Sequence, residues 1–301
     1  MKNTHLQHPE DSILTGDLSV LDWFLAESDL SVKIDGSPAI VWGTNPATGN
    51  FFVGTKSVFN KVKIKINETH DDIDRNHSGV VADILHHCFD CLPSFDGIVQ
   101  GDFIGFGGDD TFCPNTITYI FPEIIDQDII IAPHTFYDTV TGELKDAFVT
   151  DKSYSFDDTD YVKFVQPDAW QIDEDFEEIV SFARQMSTLC EFVDDKQSRQ
   201  IQQQLNSIIR AGLDIDELTL EALAFANQID MNVLRLWSLV RSIKADMLFL
   251  MRNNGPKAYI GNQQCGGEGY VRVNDYGMFK LVNREQFSHA NFNNGRFACA
   301  S

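Results

Sequence analysis

The sequence predicts an α+β protein whose β-rich, antiparallel part is interrupted by a block of helices. Up to about residue 170, short runs of β-branched and aromatic residues alternate with turn-forming stretches. From 173 to 252 there is no proline, and Gly212 is the only glycine, a composition that favours helices. After Asn253-Asn254-Gly255-Pro256 the strand-like pattern returns. The expected division is a domain of residues 1–170 and 255–301 with a helical insertion over 171–254.

In chain order, Leu18, Leu21, Phe24 and Leu25 predict a helix over 12–30. It leads into a strand, Ser31-Val32-Lys33-Ile34, that ends in the turn-forming pair Asp35-Gly36. Segments 39–43 and 51–54 flank a turn-rich stretch, 44–50, and predict a hairpin. Val80, Val81, Ile84 and Leu85 mark one face of a helix over 71–91. Strands are expected over 97–103, 116–121, 129–132 and 161–165, with 105–110 as a hairpin tip and His134 in a loop. In the helical block, Leu236, Val240, Ile243, Met247 and Leu250 form one stripe of a long helix. The last two strands, 269–273 and 278–282, flank Asn274-Asp275-Tyr276-Gly277. Alternation in the second sets Phe279 and Leu281 on one face, and Met278, Lys280 and Val282 on the other.

The 301 residues are 43% hydrophobic, enough to fill a core, yet no run approaches the ~18 apolar residues that span a bilayer. Residues 1–8 lack the apolar centre of a secretory signal. Cysteines 88, 91, 113, 190, 265 and 299 form no small-domain framework, so the expected location is the cytoplasm. Cys88-Phe89-Asp90-Cys91 is a lone CxxC beside His86-His87, read as reduced thiols at a helix end with zinc as the alternative. A net charge of −22 argues against binding nucleic acid over a broad surface. Any polynucleotide needs a local basic strip, for which Lys56, Lys61, Lys63 and Lys65 are the candidates. The alternation Lys63-Ile64-Lys65-Ile66 equally suits a solvated edge strand.

Four short motifs could carry chemistry. Lys33-Ile34-Asp35-Gly36 brings a lysine to a strand end, where desolvating an ammonium is costly unless compensated. A lysine nucleophile needs such burial or a neighbouring cation, because with a pKa of ~10.4 a free lysine is hardly ever neutral at pH 7. Gly101-Asp102 and Gly267-Glu268 each place an acid just after a glycine at a strand. Lys280 stands in an otherwise apolar strand.

Together these segments resemble the covalent nucleotidyltransferase superfamily of ATP-dependent DNA ligases, RNA ligases and mRNA capping enzymes. Lys33 to Gly36 resembles its motif I, whose lysine takes the nucleotide as a phosphoramide. Thr55-Lys56-Ser57 resembles the Ser/Thr-Arg segment, and Val99-Gln100-Gly101-Asp102-Phe103 resembles motif III with Asp for Glu. Tyr119-Ile120-Phe121 falls where the base-stacking motif IIIa belongs. Glu268-Gly269-Tyr270-Val271 resembles motif IV, and Phe279-Lys280-Leu281-Val282 motif V. The wording around 51–61 and 280–288 is also similar to uncharacterised ligase-like proteins of tailed phages, which would place the protein in the host cytoplasm.

The resemblance implies a nucleotidyltransferase (ATP-grasp-like ligase) fold with antiparallel sheets around a nucleotide cleft. It implies an ATP-dependent polynucleotide ligase-like adenylyltransferase, acting on RNA or nicked DNA through lysyl-AMP at Lys33, with ATP and Mg²⁺ as cofactors. Lys280 would clamp the α-phosphate and lower the Lys33 pKa. Asp35, Gly36, Lys56, Tyr119 and Phe121 would bind the nucleotide, and Asp102 and Glu268 the metal. Lys61, Lys63 and Lys65 would contact the polynucleotide, and the helical insertion would serve any protein partner. Two departures stand out. Val282 occupies the place of a second motif V lysine, leaving Arg272, Arg284, Lys163 or Lys257 to supply its charge, and no C-terminal OB-fold is expected. The alternative is a non-ligating nucleotide-binding module, or an adenylyltransferase towards another acceptor.

Overall fold

The computed structural model describes residues 6–150 and 152–287. Cys299 and both ends of the expected 1–170 and 255–301 domain lie outside the described residues.

The chain opens with helices α1 (Pro9–Ser12) and α2 (Ser19–Leu25) and strands β1 (Asp29–Lys33), β2 (Ala39–Thr44) and β3 (Phe51–Gly54). Helices α3 (His70–Asn76) and α4 (Val80–Cys91) precede β4 (Ile98–Phe106), β5 (Thr111–Phe112), β6 (Thr118–Ile120) and β7 (Ile129–Thr139). Three short strands follow, β8 (Ala147–Val149), β9 (Val162–Phe164) and β10 (Ala169–Gln171). The helical block is α5 (Glu177–Ser187), α6 (Asp195–Arg210), α7 (Glu217–Asn227) and α8 (Met231–Leu250). The chain then runs through β11 (Met251–Asn253), β12 (Lys257–Ile260), β13 (Gln263–Cys265), β14 (Gly269–Asn274) and β15 (Gly277–Leu281).

The architecture is α+β, and every strand pair is antiparallel except β7 with β9. Glycine explains two departures in the helices. The helix expected over 71–91 is two, because Gly79 adopts φ +60° between them. The helix expected over 12–30 is likewise interrupted at Gly16, φ +83°, and gives way to β1. Asp194, Asp216 and Asp230 start α6, α7 and α8 by accepting backbone N–H bonds.

The chain forms two compact units, and the division differs from the one expected. One unit holds Ile34–Gln166 and Gly255–Gly267. Its sheets run β3-β2-β4-β7-β8 and β13-β12-β6-β5. The 105–110 segment is no hairpin tip, because β4 and β5 lie in different sheets. The other unit holds Leu6–Lys33, Pro167–Asn254 and the chain from Glu268. Residues 171–254 are thus not a separate insertion. Val233, Leu236, Trp237, Val240, Ile243 and Met247 share one core with Ile13, Leu14, Trp23 and Phe24 and with Tyr270, Phe279 and Leu281. The α8 stripe is half of an interface whose other half comes from the chain's two ends, and burying it drives their association.

Candidate functional site

In the helical unit, β1, β14 and β15 make a three-stranded sheet. Its register pairs Lys33 with Gly269, Ser31 with Val271, and Val271 with Lys280. Cross-strand partners share a face and successive residues alternate, so Lys33 and Lys280 project from the same face. Leu30, Val32, Tyr270, Phe279 and Leu281 turn the other face into the helical core. Gly269 is required here: its φ is +140°, and a Cβ would lie 2.1 Å from the Leu281 carbonyl oxygen. The preceding residue, Glu268, accepts from Lys33 Nζ at 2.5 Å. Lys33, Glu268-Gly269 and Lys280 are therefore joined by β pairing and one ion pair.

Burial, and next the Lys33 charge, hold the Lys280 ammonium below the usual lysine range. The Lys280 backbone N–H donates to Gln7 O at 3.1 Å, and the residues that follow Gln7 form a buried charge cluster. Glu10 is fully buried between Lys244 (2.5 Å) and Arg284 (3.0 Å). Asp11 accepts from Arg284 at 2.9 Å and from Trp237 Nε1 at 3.1 Å. Burial opposes ionisation of Glu10, but Lys244, His8 and Arg284 more than offset it and hold its carboxyl below the usual range. Sequence reasoning missed this cluster, although one signal was present: Lys244 follows Ile243 of the apolar α8 stripe.

The cluster decides where Arg284 goes, and it is not free for a phosphate. Arg272 is also committed, donating to Phe24 O (3.2 Å) and Ala26 O (2.8 Å) from above the Trp23 ring. Lys163 pairs with Asp158 at 2.6 Å. Of the four cations considered for the Val282 position, Lys257 alone is exposed on a strand with no ion pair among the described residues.

In the other unit the Asp35-Gly36 turn packs against β4. A Cβ on Gly36 would lie 2.6 Å from Phe103 O and 3.0 Å from Asp102 Cβ, so glycine lets the turn press against β4. Ser37 N donates to Phe103 O at 2.9 Å, and Phe103 N to Pro38 O at 3.1 Å. Asp35 N donates to the Tyr119 hydroxyl at 2.7 Å. That bond fixes the turn, but Tyr119 is only 1% exposed, and Phe121 is buried edge-on to Phe112. Neither ring offers an open face, so the expected stacking on a base is corrected to a structural role. His134 is not in a loop: it lies on β7, with Nε2 3.6 Å from Asp102 Oδ1 and 3.3 Å from the Gln100 amide.

The profile of the Family of unknown function (DUF6267) matches residues 3–229 and 216–296. The chain belongs to this family. No curated protein and no solved structure matches it.

In this family member, Lys56, Lys61 and Lys63 are exposed, but 61–66 is an irregular segment and not the edge strand considered. Lys63 takes φ +57°, and Lys65 is held by the Asn76 carbonyl at 2.5 Å. Among the described residues no group of three or more His, Cys, Asp or Glu is placed to hold a metal ion. Mg²⁺ characteristically takes one or two carboxylates and completes its shell with water and substrate phosphates, which Glu268 or Asp102 suits. Asp102 belongs to one unit and Glu268 to the other. The five described cysteines are free; Cys88 is buried, and burial pushes the Cys91 thiol up to about 11. Among the described residues no helix is long and apolar enough to cross a membrane.

Proposed function

We propose that the protein is an ATP-dependent, ligase-like adenylyltransferase that becomes covalently attached to AMP at Lys33. The observation that carries this reading is the convergence of Lys33, Glu268 and Lys280 on one sheet, from positions up to 247 residues apart. Paired with Glu268, Lys33 is an ammonium ion without a lone pair. Attack requires a base to take the Nζ proton, a role Glu268 at 2.5 Å is placed to fill. Lys33 Nζ then bonds to the α-phosphorus of ATP, the α–β bridging P–O bond breaks, and pyrophosphate leaves. Lys280 supplies positive charge for the α-phosphate. Mg²⁺ bound with the nucleotide would neutralise charge building up on the phosphates. Asp35, Gly36 and Lys56 serve the nucleotide, and exposed Lys56, Lys61 and Lys63 support an RNA or nicked-DNA acceptor.

The test is incubation with α-labelled ATP and Mg²⁺, followed by peptide mapping of an acid-labile adduct. Lys33→Arg keeps the ion pair but cannot be deprotonated at working pH, so labelling should vanish. Labelling that survives in Lys33→Arg, or maps elsewhere, removes the assignment; failure with ATP, GTP and NAD removes the enzyme. A second reading is favoured by buried Val282 and by the internal commitment of Arg272 and Arg284. It is adenylylation of a non-nucleic acceptor, or nucleotide binding without transfer, in the host cytoplasm. Exposed Leu218 and Phe225 on α7 give a protein partner an apolar contact.

A further inference from the structure

Helices α3 and α4 carry the same pattern, histidine and aspartate four residues apart: His70 with Asp74, and His86 with Asp90. That spacing sets both side chains on one helical face. The two pairs are crossed between the helices. His70 Nε2 lies 3.0 Å from Asp90 Oδ1, and His86 Nε2 lies 3.0 Å from Asp74 Oδ1. The remaining nitrogens, the two Nδ1 atoms, face each other at 2.7 Å. Ring centroids 5.0 Å apart, with planes 19° from parallel, show that the imidazoles meet head-on and edge to edge.

The chemistry of this arrangement is constrained. A carboxylate accepts only, so each Nε2 carries its hydrogen. A neutral ring with Nε2–H has a lone pair on Nδ1, and two such lone pairs at 2.7 Å repel unless a cation lies between them. We propose that the occupant is a divalent transition metal ion of the zinc type, bound by His70 Nδ1 and His86 Nδ1. Imidazole backed by a carboxylate on its far nitrogen is the usual form of a histidine ligand, because the carboxylate fixes the tautomer and raises basicity. Tetrahedral zinc with bonds of about 2.0–2.1 Å needs nitrogens about 3.3 Å apart with lone pairs converging at about 109°, so the head-on rings must open by roughly 0.6 Å and each turn by about 35°. The side chains can give that much, being 47% and 28% exposed. Water fills the remaining positions, so the site is open, and it joins α3 to α4. The CxxC motif takes no part: Cys88 is in the core, and the ligand from the His86-His87 pair is His86, while His87 packs on Phe106.

The test uses the untagged full-length protein, stripped with chelator, dialysed and titrated with Zn²⁺ by calorimetry. One ion per chain should bind in the wild type and in His87→Gln, and none at this site in His70→Gln or His86→Gln. Asp74→Asn and Asp90→Asn touch no metal but should each weaken binding by about 10-fold or more. Circular dichroism checks that these surface variants fold. Ring-nitrogen NMR of the wild type should show both Nδ1 signals moving on Zn²⁺ addition. Binding that persists in the double histidine variant overturns the proposal. So does a wild type that takes up no Zn²⁺ while a proton bridges the two Nδ1 atoms.

Discussion

Replacing Lys244 by methionine tests how the helical unit, and with it the Lys280 strand, is held. Lys244 has 4% of its side chain exposed and its Nζ lies 2.5 Å from Glu10, which is fully buried. Glu10 keeps Arg284 at 3.0 Å after the substitution, while its Oε2 already has no hydrogen-bond partner. Removing one partner of a buried ion pair costs about 3–5 kcal/mol. The surviving Arg284 contact puts Lys244→Met at the lower end, about 3 kcal/mol. Glu10→Gln should cost at least as much, since it leaves the Lys244 ammonium buried against an amide. The double variant removes both charges, so its cost should fall below the sum by about 1–3 kcal/mol. Urea unfolding at pH 7, followed by tryptophan fluorescence, reads these differences as midpoint shifts at unchanged slope. A Lys244→Met cost below about 1 kcal/mol, or strict additivity, would show that the cluster is not a coupled buried network.

Three other outcomes are expected. Burial holds His8 near a pKa of about 2, so it stays neutral in the folded state while the unfolded chain protonates below 6.5. Its contribution is complete above pH 6.5 and declines as pH falls; about 2 kcal/mol should be lost by pH 5, and His8→Leu should flatten that part of a stability–pH profile. Gly36→Ala puts a methyl 2.6 Å from Phe103 O, a backbone atom already bonded to Ser37 N. Thermal unfolding should show a loss of about 1–3 kcal/mol; an unchanged melting temperature would mean the turn is not pressed against β4. If the protein joins polynucleotides, glutamine at Lys61 and Lys63 should reduce the salt dependence of binding by up to about two in log–log slope, leaving self-adenylylation intact.

The strands of the candidate site were legible because their information is local. Lys33, Asp35-Gly36, Glu268-Gly269 and Lys280 sit in short alternating segments whose register follows from period-two patterning. The α8 stripe was legible for the same reason. The partner of that stripe was not, because a helix face says it must be covered but not by what. Here the cover comes from residues 13–24 and 270–281, at the far ends of the sequence. Glu10 and Arg284 illustrate the same limit. Each looks like an ordinary surface charge in its own segment, and only the fold brings them to 3.0 Å. The aromatic pair Tyr119 and Phe121 erred in the opposite direction: position along the chain suggested an open platform, whereas the sheet β13-β12-β6-β5 buries both.

The Lys33–Glu268 pair makes one demand on any nucleotidyl-transfer chemistry at this sheet. A nucleophilic lysine and an acid at 2.5 Å stabilise each other as ions, so the resting arrangement protects Lys33 from reacting. Gly269 fixes how Glu268 is presented, since no side chain fits between β14 and the Leu281 carbonyl. Lys280, on the same face, adds a second cation that Glu268 alone cannot fully neutralise. Two lysines against one carboxylate leave a net positive surface in a chain whose overall charge is −22. An anion would satisfy both lysines, but Nζ gains a lone pair only when a base takes its proton. Glu268, 2.5 Å from Nζ, is the carboxylate placed to take it. Glu268→Gln separates these contributions: it should release Lys33 from its ion pair yet remove the carboxylate that accepts the proton. Nucleotide binding should then persist while adduct formation falls by about 10²-fold or more, the usual contribution of a positioned general base. Equal loss of binding and labelling would instead assign Glu268 to holding the sheet together.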